Sequence, residues 1–271
     1  MLAEPQVIKD VSTNFIKEYW EKQAETYKQS HEASWGDSWM IDLEIKTIGQ
    51  YLKQGAQILD VGCGNGYSTI HQWQERRPAS MIGVDLAENM IRHARQALID
   101  HKITGNISFE NGDIGSLRFP DNTFDIVYTT RVVINLPTWE QQTQALSECI
   151  RVTKKGGTII FSEAFWEPLT LLNAVRALKN LPPLVEHDFN RYIKKSKLDA
   201  WLKSRGITYK VDEFSSVYYL GSRFLRELVT DPAAYPGFTN PINKLFHDIE
   251  CQFSGGGFGI QQAYILTKPV A

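Results

Sequence analysis

Through its middle the chain alternates short apolar runs with amphipathic stretches, the pattern of parallel strands covered by helices. Gln57-Ile58-Leu59-Asp60-Val61 has the character of a buried strand and ends at the glycine cluster Gly62-Cys63-Gly64-Asn65-Gly66; Tyr67 to Glu75 then reads as a helix. Met81 to Val84 predicts a second strand, followed by a helix whose apolar positions Met90, Ile91, Ala94, Ala97 and Leu98 recur at helical spacing. Ile107 to Phe109 and Phe124 to Thr129 predict a third and a fourth strand. Thr138 is suited to cap a helix running to Val152. Lys154-Lys155-Gly156-Gly157 then turns the chain into a fifth strand, Thr158 to Phe161.

The flanks differ. Residues 1–45 read as helical and aromatic-rich, with Tyr19, Trp20, Tyr27, Trp35 and Trp39. A helix is expected around Leu171 to Leu178, stopped by Leu181-Pro182-Pro183-Leu184. Asp199 to Lys203 predicts a helix leading into a strand near Ile207 to Val211, and Gln262 to Thr267 alternates like a last strand. Between them, residues 216–258 carry two short helices around the turn chemistry of Tyr235-Pro236-Gly237 and Asn240-Pro241. The expected fold is α/β, a doubly wound, mostly parallel, seven-stranded Rossmann-like sheet with helical cap additions. Its expected parts are an N-terminal helical cover (1–45), a cofactor-binding core (46–163) and substrate cap insertions (164–195 and 216–258). The last helix and strands of the sheet fall in 196–215 and 259–271.

Composition narrows the partners. With 29 Lys and Arg against 31 Asp and Glu the formal net charge is −2, whereas binding nucleic acid through its phosphates needs a basic surface. No nucleic-acid partner is expected. The 42% hydrophobic and 22% charged fractions match an ordinary globule. Cys63, Cys149 and Cys251 are far apart and form no CxxC pair, which suits a reducing compartment and excludes a zinc ribbon; no metal is expected. Met1 to Asp10 carries acids and a proline where a secretion signal needs a basic and then an apolar stretch. No apolar run approaches the roughly 20 residues that span a bilayer. The expectation is a cytoplasmic globule without a membrane partner; nothing demands or forbids a dimer.

In an open α/β sheet, ligands bind beyond the carboxyl ends of the strands. A glycine loop there lets a ligand approach the backbone, and the following helix N-terminus favours a negative group. Two nucleotide chemistries compete for the loop at residues 62–66. A dinucleotide fingerprint needs GxGxxG, and here the third glycine comes one residue early. Asp60 also stands two residues before the first glycine, where a carboxylate repels a pyrophosphate but suits a positively charged ligand. Asp60-Val61-Gly62-Cys63-Gly64-Asn65-Gly66 resembles the first motif of class I S-adenosylmethionine-dependent methyltransferases.

The rest of that family's pattern follows in order. Ile82-Gly83-Val84-Asp85-Leu86 resembles the second-strand motif, whose acid takes both ribose hydroxyls. Asn111-Gly112-Asp113-Ile114 resembles the third-strand loop, whose Asp accepts from the adenine amino group. Phe119 to Val127 and Arg151 to Gly157 match the turns into the fourth and fifth strands. The resemblance spans residues 56–163 and is nearest the small-molecule type of ubiquinone and menaquinone biosynthesis. It implies S-adenosyl-L-methionine as cofactor, held by Tyr27, Asp60, Gly62, Cys63, Gly64, Gly66, Asp85, Leu86, Met90, Asp113, Ile114, Thr130 and Arg131. Arg131 and Asn135 stand where most relatives place apolar, aromatic or histidine residues. Arg131 reads either as a surface arginine or as a clamp for a carboxylate or phosphate of cofactor or acceptor.

Methyl transfer from sulfur is an in-line displacement, accelerated by holding donor and acceptor in attack geometry. A base is needed only when the acceptor carries a proton to lose. Glu163, His187 and His31 are the base candidates, each with an alternative role as an ordinary loop or surface residue. Trp35 and Trp39 suit either core packing or an acceptor pocket. The expected activity is methyl transfer to O, N or C of a small acceptor of natural-product, quinone-like, sugar or amine type. The competing readings are a methyltransferase acting on RNA or protein, a nicotinamide oxidoreductase and a non-catalytic nucleotide-binding scaffold. Residues 130–137 lack the Asn/Asp-Pro-Pro-Tyr/Phe signature used on flipped bases and amide nitrogens.

Overall fold

The computed structural model describes residues 12–186, 189–231, 234 and 237–270. Its seven strands are β1 Gln57–Val61, β2 Ser80–Asp85, β3 Ile107–Asn111, β4 Phe124–Thr130, β5 Thr153–Ala164, β6 Thr208–Asp212 and β7 Gln261–Thr267. They form one sheet in the order β3-β2-β1-β4-β5-β7-β6. β7 runs antiparallel to β5 and β6, and the other pairs are parallel. The strand order reverses between β1 and β4, so a crevice opens above their carboxyl ends.

Helices follow from local chemistry. Helix α1 spans Thr13–Tyr27 and α2 Ser38–Gly49; α3 Tyr67–Arg76 and α4 Glu88–Asp100 follow β1 and β2. Helix α5 (Trp139–Val152) opens with a capping box, in which Thr138 and Gln141 satisfy each other's backbone amides. Its buried stripe, Gln142, Ala145, Leu146, Cys149 and Val152, has helical spacing and packs on the sheet. Arg151 at its end donates to Leu117 O and Phe119 O, pinning the turn into β4. Helix α6 is Trp166–Ala177 and α7 Lys195–Ser204.

Two segments depart from the sequence pattern. β5 starts at Thr153 rather than Thr158: Thr153 pairs with Phe124, and an irregularity between Phe124 and Ile126 absorbs the glycines expected to form a turn. In 216–258 the first helical stretch is longer than expected. Helix α8 (Ser216–Leu220) runs through a π turn, Gly221–Leu225, into α9 (Arg226–Val229). Helix α10 (Ile242–Glu250) lies so close to it that a Cβ at Gly221 would stand 2.1 Å from Phe246 Cγ. One hydrophobic core joins the sheet to Leu169 and Leu172 of α6, Tyr218 and Tyr219 of α8 and Phe246 of α10.

A buried polar cluster fastens the N-terminal region to these outer helices. Asp37, fully buried, caps α2 by accepting from Met40 N (3.2 Å). It also accepts from Tyr218 Oη (2.6 Å) and pairs with Arg223 (2.6 Å). Removing one partner of a buried pair leaves the other charge uncompensated, at about 3–5 kcal/mol. Asp37→Ala should therefore lower the unfolding free energy in urea by about that amount; a loss below about 1 kcal/mol, the scale of a helix cap alone, would contradict the role given to the cluster.

Candidate active site

The loop after β1 is drawn against β2: Gly62 N and Cys63 N both donate to Val84 O (2.6 and 3.0 Å). Gly62 has φ 79°, and a Cβ there would stand 2.0 Å from Val132 Cγ2, so both the conformation and the neighbour require glycine. Asp85, at the end of β2, accepts from Gly64 N through one oxygen and from Ala87 N through the other, each at 2.9 Å. Burial pushes its carboxyl up to about 6. A carboxylate offers about four acceptor positions, so both oxygens keep capacity for a ligand. Asp113, past β3, is turned by its own Oδ1 accepting from Gly115 N (2.8 Å).

These groups open onto a cavity of about 850 Å³. Of the residues expected at the cofactor, it is lined by Tyr27, Gly62, Gly64, Asp85, Leu86, Met90, Asp113, Ile114, Thr130 and Arg131. The N-terminal region covers it. Glu21 on α1 accepts from Glu88 N and Asn89 N (2.7 and 2.9 Å), capping α4, which has no side-chain cap of its own. Asn65 of the glycine loop donates to Lys28 O and Ser30 O, both at 2.7 Å, tying down the chain that follows α1. Trp35, Phe189, Tyr192, Tyr219 and Phe238 supply aromatic walls, Phe189 packing on Tyr19 and Trp20 of α1.

Three expected cofactor residues do not line the cavity. Asp60 is buried and accepts from Thr69 Oγ1 (2.6 Å) and Tyr128 Oη (2.8 Å), which places its carboxylate beneath the loop. Cys63 lies against Gly83, and burial raises its thiol well above the ordinary value. Gly66 starts α3. The base candidates also move. Glu163 lies within β5, not past it, fully buried, and accepts from Thr129 Oγ1 (2.7 Å) and from the amides of Val132, Val133 and Ile134 (3.2, 3.1 and 3.3 Å). With every contact a donor to it, Glu163 shapes the turn after β4. His31 pairs with Trp35 O (3.2 Å) and packs on Tyr67, outside the cavity lining. His187 lies outside the described residues. Trp35 lines the cavity, whereas Trp39 packs on His247.

The structure also brings in residues that sequence reasoning passed over. Glu186 lines the cavity and accepts from Tyr192 N (2.5 Å), and burial raises its carboxyl. Nothing in the sequence marks Glu186 over the adjacent His187. Glu44 on α2 is buried beneath Arg131, its Oε1 3.2 Å from Arg131 Nε and 2.7 Å from Gln261 Nε2. Glu44 and Gln261 are 217 residues apart, a pairing for which the sequence gives no signal.

Residues 58–157 match the family model described as a methyltransferase domain. An uncharacterized methyltransferase of Schizosaccharomyces pombe is 38% identical over 120 residues, 42% of this chain and 42% of that protein. A ubiquinone biosynthesis O-methyltransferase of Pseudomonas fluorescens is 26% identical over 199 residues, 71% of this chain and 78% of that protein. The chain spans 42% and 51% of the length of two of the curated relatives it matches. Magnesium protoporphyrin IX methyltransferase from Synechocystis, solved with S-adenosylhomocysteine, superposes with a TM-score of 0.61 at 15% identity, covering 95% of this chain and 100% of that one. Residues 58–157 of the α/β core thus match a methyltransferase domain, and the chain shares the fold of that solved enzyme.

Burial raises a set of carboxyls around this site. Glu44 and Asp60 are pushed up to about 7, as is Glu250 under α8, and Asp85 and Glu163 to about 6. Their ordinary values are 3.8 for Asp and 4.5 for Glu, so between those values and about 7 the folded chain holds more protons than the unfolded one. The stability they contribute is complete below the ordinary range and is lost as pH rises toward 7. Carboxyls lowered by partners, such as Asp42, Asp125 and Glu148, act only below it. Urea midpoints should fall from about pH 5.5 to about 7.5, less steeply in Glu44→Gln; a midpoint rising over that interval would overturn the assignment.

Proposed function

We propose that this chain, a class I S-adenosylmethionine-dependent methyltransferase by its matched domain and fold, transfers a methyl group to an O, N or C atom of a small organic acceptor. The observation that carries the proposal is one cavity lined both by Asp85, Asp113 and the bare glycine loop and by aromatic side chains of the cover and cap. Such a cavity encloses a small acceptor rather than opening onto a polymer. The formal charge of −2 points the same way.

The residues present fit the cofactor. Gly62 and Gly64 keep side chains out of the cavity wall, and Asp85 retains unused acceptor positions beside them. Asp85 would take the ribose hydroxyls, Asp113 the adenine amino group, and Leu86, Met90 and Ile114 the faces of the base. When bound, S-adenosylmethionine supplies a methyl group on a positively charged sulfur. Tyr27 and Trp20 close the cavity from α1 and help to exclude water. Glu186, its carboxyl raised by burial, would take a proton from the acceptor where there is one to lose.

Among the described residues no helix is long and apolar enough to cross a membrane. Together with the free cysteines, this supports a reducing, aqueous setting, for which the cytoplasm is our reading.

Thermal-shift assays should show stabilisation by S-adenosylhomocysteine and none by NAD(H). Asp85→Ala should weaken S-adenosylhomocysteine about 100-fold, the scale of two charge-assisted hydrogen bonds. Stabilisation by NAD(H) alone would sink the proposal. Labelled cofactor and small-molecule extracts would identify the acceptor. With it, Glu186→Gln should lower kcat by about 100-fold or more while S-adenosylhomocysteine affinity stays put; an unchanged kcat would remove Glu186 as the base.

A further inference from the structure

We infer that Arg131 recognises a carboxylate on the acceptor, and that the acceptor is a flat aromatic molecule carrying that acid. The inference rests on the methyltransferase reading and names the substrate class it leaves open.

Arg131 stands just past β4 with φ 57°, an uncommon conformation for a residue with a side chain. The backbone is fixed on both sides: Arg131 N donates to Ser162 O (2.8 Å), and Arg131 O accepts from Asn135 Nδ2 (2.8 Å). Its guanidinium lies 4.9 Å from the Trp35 ring, and Glu44 faces Nε. Neither Nη donates to any described residue, although Arg131 lines the cavity. The back of the guanidinium is thus engaged while two donors remain at its end. That edge matches the two oxygens of a carboxylate. The neighbouring rings of Trp35 and Phe238, 5.9 Å apart and edge-on, together with Tyr219 and Tyr192, favour a flat apolar body beside that acid.

The position of Arg131 separates this acid from the carboxylate of the cofactor. The Glu44 oxygen that faces Nε also accepts from Gln261, which opens β7 opposite Ala164 of β5. In the sheet, β5 and β7 lie on one side of β4, and β1 and β2, which carry the glycine loop and Asp85, lie on the other. The guanidinium is therefore held toward the β5 and β7 side of β4, beside Trp35 and away from β1 and β2.

Glu44 also offers a way to accommodate the added negative charge. It faces Arg131, Gln261, Glu163, Asp37 and Tyr219, and its carboxyl is pushed up to about 7. An anion on Arg131 raises it further, so acid binding should draw a proton onto Glu44.

The test uses protein saturated with S-adenosylhomocysteine and calorimetric titration of flat aromatic acids against their amides: naphthoate with naphthamide, and indole carboxylate with indole carboxamide. At least one acid should bind the wild type about 10- to 100-fold more tightly than its amide, with proton uptake read from buffers of different ionisation enthalpy. Arg131→Met should abolish the preference and leave S-adenosylhomocysteine affinity within about threefold. Glu44→Gln should keep the preference and lose the proton uptake. No acid preference in the wild type would overturn the inference whatever the variants do. It would also fall if Arg131→Met weakened S-adenosylhomocysteine but not methylthioadenosine, which lacks the amino-acid tail, because Arg131 would then read the cofactor. Failure of the wild type to bind S-adenosylhomocysteine at all would instead overturn the methyltransferase reading.

Discussion

A buried carboxylate in the fifth strand organises the site. Glu163 gathers the hydroxyl of Thr129 and the amides of residues 132, 133 and 134, folding the chain sharply as it leaves β4. That turn drives Val132 into the space a side chain at Gly62 would need. The loop after β1 and the turn after β4 therefore interlock, and they flank the reversal of strand order where the cavity opens. A carboxylate in such a place carries a desolvation penalty, visible as its raised carboxyl, and only the ring of donors makes it tolerable. The fold accepts that penalty in order to place Arg131 and Val132.

The same economy governs the cover. Helix α1 is held by polar contacts, Glu21 on the first amides of α4 and Asn65 on the carbonyls of Lys28 and Ser30, and by a small apolar cluster of Ala24, Ala33, Ala87 and Met90 with Trp20 packed on it. Such contacts are individually modest and reversible. The outer helices are fixed more firmly, through a shared apolar core and the Asp37, Tyr218 and Arg223 cluster.

What the sequence made legible was what strand geometry makes local. A glycine loop after a buried strand, and an acid at the end of the next, share one edge of a parallel sheet, so Gly62, Gly64, Asp85 and Asp113 could be placed without tertiary information. The carboxylates within strands could not. Asp60 faces Tyr128 across the β1–β4 pairing, and Glu163 meets a turn some 30 residues earlier, so their directions depend on register and on partners distant in sequence. Trp35, Phe238, Glu44 and Gln261 come from four separate segments, and no periodicity announces their meeting. Lys154 to Gly157 misled for the opposite reason. Turn chemistry was present, but pairing of Thr153 with Phe124 carried the strand through it.

Charge separation then links the fold to its chemistry. Asp85 and Asp113 enter the cavity from the half of the sheet that holds β2 and β3, whereas Arg131 enters it just past β4. In the free protein Asp85 is ionised at a disadvantage, with Glu21 nearby adding to the penalty of burial. A positively charged ligand in that half relieves the penalty, so part of the binding energy is strain stored on folding. Arg131 in the same half would cancel this gain. Its pairing with Glu44, itself bonded to Gln261 at the start of β7, keeps it at a distance. On the proposal made above, the buried acid on α2 has two tasks that follow from one contact: it holds Arg131 toward β5 and β7, and it keeps that charge away from Asp85.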